Sequence, residues 1–221
     1  MTPVFTSLQW SDLLFLLEGA WNTILISVVA IILGSVLGAI IGWLMSLKNT
    51  ALNLTMMSII DVFRSVPLLI QLILFDSFVA IAGFPLPPFF SGTIVLTVYT
   101  AALVAGVARA GIEAVPPTLR AAARCLGLSY FQELRYVTFP VGLRTAFPSW
   151  LGVALATVKD SALVSAIGYV ELLRASQILN TRTQESVKIM LLVGVLYFAL
   201  SYPLSLLGSR YEKKMASNDH P

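Results

Sequence analysis

Residues 19–47 form a run of 29 positions without a single charged side chain. A helix rises ~1.5 Å per residue and the hydrocarbon core of a bilayer is ~30 Å thick, so this run can cross a membrane with tilt. Four further apolar stretches follow, at about 53–82, 89–108, 147–167 and 189–209. At roughly 20 residues per span, five helices and their connections use up a chain of 221 residues. Nothing is left for a separate catalytic or nucleotide-binding domain. Composition agrees: 57% of residues are hydrophobic and 11% charged, with a mean hydropathy of +0.87, whereas soluble domains carry ~25% charged residues. A disordered chain, an ordinary cytosolic enzyme and, with a net charge of +3, a basic nucleic-acid-binding domain are excluded. The expected fold is an all-α integral membrane protein of five transmembrane helices.

The rarer residues narrow the chemistry. Cys125 is the only cysteine and His220 the only histidine, which argues against a disulfide framework, a His/Cys metal site and a serine–histidine triad. No Gly-rich phosphate loop followed by Lys-Ser/Thr is present, so ATP is not expected to bind this chain. The first ten residues lack the basic region of a signal peptide.

Within the spans, Gly34, Gly38 and Gly42 recur every four residues and predict a face of close helix–helix contact. Pro67 predicts a kink in the second span and Pro148 the start of the fourth. The prolines of 83–88 separate the second and third spans. Asp76, Lys159 and Asp160, with Ser161 beside them, place polar groups inside the membrane. Each charge costs about 2.5–3.5 kcal/mol at a helix centre, so it should face the bundle interior or a wet cavity. Lys159 and Asp160 are adjacent in sequence and cannot pair along one helix. A translocation path and a register-fixing ion pair, with Asp76 as a possible partner, both satisfy these charges. Arg64 reads as a side chain snorkelling to the interface. Trp21, Trp43, Tyr99, Trp150 and Tyr197 read as belt or packing residues.

Basic residues set the orientation. With the N-terminus outside, Lys48, Arg64, the arginines of 109–144, Arg210, Lys213 and Lys214 face the cytoplasm, leaving Arg174, Arg182 and Lys188 outside. The expected organisation is an outer N-terminal segment 1–18, with Trp10–Leu17 amphipathic enough to lie at the interface. A transmembrane domain 19–209 containing a cytoplasmic loop 114–146 follows, then a cytoplasmic tail 210–221.

That loop is the most specific feature. It reads Ala121-Ala-Ala-Arg-Cys-Leu-Gly127, nine residues, then Val137-Thr-Phe-Pro140. Small residues and a glycine let one short helix end and another begin beneath an approaching protein surface, and Pro140 is expected to stop the second helix. Arg124, Leu126 and Leu128 would suit a groove on a cytosolic partner. The pattern resembles the EAA loop of ABC importer permeases: Glu-Ala-Ala, three residues, Gly, nine residues, Ile-x-Leu-Pro. Ala121 stands where the family has Glu, and Ala122, Ala123, Gly127, Val137, Phe139 and Pro140 match or substitute conservatively, without a gap.

Three further runs are similar to the polar amino-acid permeases, which serve histidine, glutamate, glutamine, arginine and opine uptake. They are Phe63-Arg-Ser-Val-Pro-Leu-Leu-Ile-Gln71, Arg109-Ala-Gly-Ile-Glu-Ala-Val-Pro116 and Lys159-Asp-Ser-Ala-Leu163. The likeness extends from about Gly19 to Lys214. Departures stand at Thr118-Leu119, where the family often has Gly-Gln, at Gly106, where it often has Glu, and at Gly152, where it often has Asn.

The resemblance implies a type I ABC importer-like permease subunit in the bacterial inner membrane. It would pair as a homodimer, or as a heterodimer with a related permease. Two cytosolic ATPases, which bind the ATP and Mg, would dock on Ala121, Ala122, Ala123, Arg124, Leu126, Gly127, Leu128 and Pro140. An extracytoplasmic binding protein would deliver an amino acid. Asp76, Lys159, Asp160 and Ser161 would line the path, with Arg64, Pro67 and Arg109 architectural. The alternative is a small secondary transporter using the same charges as coupling-ion sites, which five spans without internal repeats disfavour.

Overall fold

The computed structural model describes residues 8–47 and 49–218. Lys48 and His220, and the start of the N-terminal segment, lie outside the described residues. Those described are helical, without strands.

The first helix, α1 (Trp10–Met45), has 36 residues and is ~54 Å long, well beyond the hydrocarbon thickness. Residues 10–18, read from sequence as an outer segment, are its first turns. The glycine stripe does what its spacing predicts, lying against α4 (Pro88–Glu113). A Cβ on Gly34 would sit 2.7 Å from Thr100 Cβ, one on Gly38 2.7 Å from the Ala101 carbonyl oxygen, and one on Gly42 2.6 Å from that of Ala105. The two helices touch along most of their shared length, backbone to backbone.

The second span is not one rod. It divides into α2 (Thr50–Ser65) and α3 (Leu68–Ile81), which meet at 97°. Pro67 cannot donate to α2 and instead caps α3, so the expected kink is a right-angle break. Gln71 closes it: its side-chain amide donates to the Phe63 carbonyl at 2.7 Å and to that of Val66 at 2.8 Å. Two carbonyls left open by the break are thereby satisfied.

The third span overruns its predicted end by a turn, to Glu113. Beyond it come α5 (Pro117–Cys125), α6 (Tyr130–Glu133), a π-helical turn (Leu134–Thr138) and α7 (Phe139–Asp160), which tightens into a 3₁₀ turn (Ser161–Ile167). Neither proline acts as predicted. Pro140 does not stop a helix: it sits in the first turn of α7, after the π turn has widened the backbone, and Tyr130–Ile167 runs as one apolar helical span. Pro148 does not begin the fourth span but lies inside α7. Its missing N–H frees the Arg144 carbonyl, which accepts instead from the Tyr211 hydroxyl at 3.4 Å. Tyr211 is held there by Phe147, ring centroids 4.4 Å apart. The chain ends with α8 (Leu172–Thr183) and α9 (Ser186–Asn218).

Two contacts of α1 mark opposite ends of the molecule. Near its start Asp12 is ion-paired with Arg182 of α8; near its end the Trp43 indole donates to the Tyr130 hydroxyl at 3.2 Å. These residues are ~46 Å apart along the helix. Between them the core is layered: Leu16, Leu172, Leu179 and Ile189 at the α8 end, Ile26, Leu72, Leu96 and Val164 in the middle, Met45, Ile60 and Ala105 toward α5. Ile32, Leu74, Leu191 and Phe198 face outward, the arrangement of helices surrounded by lipid.

Candidate functional site

At the α5 end, Pro116 and Pro117 start the helix where N–H groups have no partner to lose. Gly127 ends it. Its φ of +83° lets the Gly127 N–H reach the Arg124 carbonyl at 2.9 Å and the Leu128 N–H that of Ala123 at 3.2 Å. This is a Schellman-type cap, and only glycine adopts it without strain. Space beside Gly127 is open, so its side of the cap is accessible to another surface. Of the residues assigned to docking, Ala121, Ala122, Arg124, Leu126, Gly127 and Pro140 are exposed, Leu128 is half-buried and Ala123 is buried. Leu126 is 83% accessible and Phe131, in the first turn of the span that follows, 70%, a concentration of exposed apolar side chains where α5 meets that span.

A cavity of about 540 Å³ opens between α2, α4 and α7, lined by Arg64, Gly106, Ala110, Thr145 and Ser149 among others. Arg64 is the one charged residue in that lining. It ends α2, where a cation also favours the helix dipole. Among the described residues it has no acidic partner within 4.0 Å; the four ion pairs are Arg109–Glu113, Arg120–Glu133, Arg182–Asp12 and Lys188–Glu185. Gly106 leaves room for it, since a Cβ there would lie 3.9 Å from Arg64 Nη1. The sequence presented Arg64 as an interfacial snorkeller. In the folded chain it lines a cavity, because the break at Pro67 turns the end of α2 toward α4.

Asp76, Lys159, Asp160 and Ser161 are not joined to one another. Asp76 is half-buried on α3, Lys159 exposed and Asp160 half-buried at the end of α7. Among the described residues none of these charges makes an ion pair within 4.0 Å. Ser161 is buried and donates to the Val158 carbonyl at 2.8 Å. Arg109 ties α4 to α2, its guanidinium reaching Glu113 at 2.7 Å and Asn53 at 3.0 Å. Trp43 and Trp150 line an apolar groove of about 570 Å³, with the Trp150 indole donating to Ser35 at 2.8 Å.

The opposite end carries a buried carboxylate, Glu171, that the sequence did not single out. Glu171 caps α8, accepting from the N–H groups of Leu173 at 2.8 Å and Arg174 at 2.7 Å, and from the Tyr197 hydroxyl at 2.8 Å. Burial pushes its carboxyl above the usual range, opposed by these donors.

Residues 34–217 match the family described as the inner membrane component of binding-protein-dependent transport systems. The chain belongs to that family. An arginine transport system permease protein of Bacillus subtilis is 29% identical over 210 residues, covering 93% of this chain and 94% of the relative. The glutamine transport system permease protein of Escherichia coli is 28% identical over 208 residues, covering 93% and 95%. A crystal structure of an amino acid ABC transporter with histidines superposes with a TM-score of 0.83 at 28% identity, over 95% of this chain and 100% of that one. The all-helical type I importer permease fold, and membership of a binding-protein-dependent system, are therefore those the resemblance implied. The ion-gradient alternative is set aside. As a family member this permease works with an ATPase and a binding protein.

Proposed function

We propose that this chain is the membrane-spanning permease subunit of an ATP-driven amino-acid importer, with α5 as the seat of its ATPase. The observation that carries the reading is the α5 surface. Leu126 at the end of α5 and Phe131 of the adjoining α6 present exposed apolar side chains close together in sequence at this end of the molecule, and α5 is ended by a glycine cap whose outer side is open. A pair of such permeases, identical or related, would take two ATPases, and the positive-inside argument puts α5 and the C-terminus in the cytoplasm and α8 outside, where the binding protein delivers. The multi-pass chain would reside in the bacterial inner membrane, with ATP and Mg held by the ATPases and none by this chain. The division into outer segment, transmembrane domain and cytoplasmic tail follows from the same orientation.

In that frame the cavity beside Arg64 is a waypoint for substrate. A guanidinium flanked by the hydroxyls of Thr145 and Ser149 suits the carboxylate that every amino acid carries. Asp76, Lys159 and Asp160 are further polar stations toward the α8 end. ATP closing the paired ATPases would displace α5 and change which end of the cavity opens.

Gly127→Asp tests the docking reading. The substitution puts a strained, charged residue in the cap while leaving every span intact. Co-purification of its partner ATPase should fall tenfold or more at unchanged membrane insertion. Undiminished recovery would exclude α5 as the seat.

A further inference from the structure

The helix α5 packs chiefly against α6 and the π turn, so a force applied to it enters the membrane domain through residues 130–138. One polar cluster occupies that junction. Arg120 Nε of α5 donates to Glu133 Oε1 at 3.1 Å, and the Thr138 hydroxyl donates to the same oxygen. Glu133 is buried, its side chain 1% accessible against 27% for Arg120. Its other oxygen, Oε2, is buried without a hydrogen-bond partner among the described residues. A single carboxylate oxygen therefore holds α5 on one side and the far end of the π turn on the other.

The position of that turn gives the link its meaning. Glu133 is the last residue before it and Thr138 the last within it; α7 begins at Phe139. A π turn interrupts the regular ladder and is frequently a functional site. Left unbraced, it is where an α5 displacement would be absorbed instead of passed on. Bridged by Glu133, α5 and the start of α7 move together, and α7 carries Thr145 and Ser149 into the Arg64 cavity. Arg120 immediately precedes the Ala121-Ala-Ala triplet yet engages the permease's own body, so the docking helix has an inward anchor distinct from its outward face.

We propose that Glu133 is a positioning residue which, through Arg120 and Thr138, transmits displacement of α5 to α7. The proposal rests on α5 being the ATPase seat. The test uses the complete complex with its ATPase and binding protein in proteoliposomes. Cys125, the single and exposed cysteine, takes one spin label. A second goes on Gly152→Cys, where no atom lies within 4 Å of the added Cβ. With Glu133 intact, the distance between labels should stay within its nucleotide-free distribution when a non-hydrolysable ATP analogue is added. In Glu133→Ala and Arg120→Ala it should shift and at least double in width, with ATPase recovery within twofold of the parent. Glutamine uptake per ATP hydrolysed should fall tenfold or more in either variant, and no further in the double variant. Glu133→Gln, which keeps an acceptor, should retain at least a third.

An unchanged label distance and uptake ratio in both alanine variants would overturn the proposal. So would loss of ATPase recovery in step with uptake, which would place these residues in the docking surface or the general fold. Arg120→Ala, at a half-exposed site, decides the matter if Glu133→Ala does not fold. Undiminished ATPase recovery by Gly127→Asp would refute the docking reading itself, a separate result.

Discussion

Gly106 faces Arg64: a Cβ at 106 would stand 3.9 Å from the nearest guanidinium nitrogen, and among the described residues no acid is within ion-pairing distance of that arginine. The family often carries a glutamate at the position of Gly106. Such a side chain here would reach the guanidinium and neutralise the one charge lining the cavity. Gly106→Glu should lower amino-acid uptake about tenfold with assembly intact, the equivalent of ~1.4 kcal/mol, whereas Gly106→Ala should stay within about twofold because its methyl only reaches contact distance. Uptake by the two variants in the same vesicles distinguishes charge from bulk.

The α1–α4 seam gives a stability prediction. A methyl on Gly38 meets the Ala101 carbonyl oxygen and Val104 Cβ, both at 2.7 Å, and neither backbone nor a β-branched carbon can swing away. Gly38→Ala should cost about 1–3 kcal/mol, seen as a lower melting temperature in detergent. Gly194→Ala, with nothing within 4 Å of the new carbon, should leave it unchanged or slightly higher, as expected for a glycine replaced in a helix.

Gln71→Leu keeps the apolar run but withdraws both donors from the Phe63 and Val66 carbonyls. Leaving such groups unsatisfied costs ~1–3 kcal/mol each where water cannot reach them. The α2–α3 corner should loosen, read as faster hydrogen exchange over 62–72, and uptake should fall with it because Arg64 is placed by that corner. Unchanged exchange would mean that Pro67 alone sets the bend.

Glu171 predicts a pH dependence. Burial makes the folded protein hold this proton more tightly than the unfolded chain does. Its contribution to stability is full below the ordinary glutamate range and is lost as pH rises through the folded value. Melting temperature should decline over that window, and Glu171→Gln, neutral at every pH, should flatten this part of the curve.

Much of this was legible from the chain alone, and the exceptions have a common cause. Spans one, three and five are charge-free runs of about 20 residues or more, longer than a barrel strand and apolar without alternation, which is the pattern of a helix in lipid, and the glycine spacing named its own packing face. The misreadings at Pro140, taken as a stop, and Pro148, taken as a start, came from treating proline as a helix boundary. In the fold a π turn and a hydroxyl 67 residues away supply what proline withholds. Arg64 belonged to the cavity only once α2 had turned through 97°. Glu133 gave no signal, since an acid in a polar interval looks solvated until Arg120 folds back over it. The docking helix was readable because its spacing is local; the link beneath it was not, because it joins three elements.

The pairing of Asp12 with Arg182 has a consequence for biogenesis. The two are 170 residues apart in the chain, and at ~5–20 residues per second the arginine leaves the ribosome roughly 10–30 s after the aspartate. Once α1 has emerged, the earliest helix waits out the rest of that interval with a carboxylate that the finished protein buries and neutralises. The first span is thus threaded early but locked late, and a nascent chain arrested before α8 should still be open to capture by quality control.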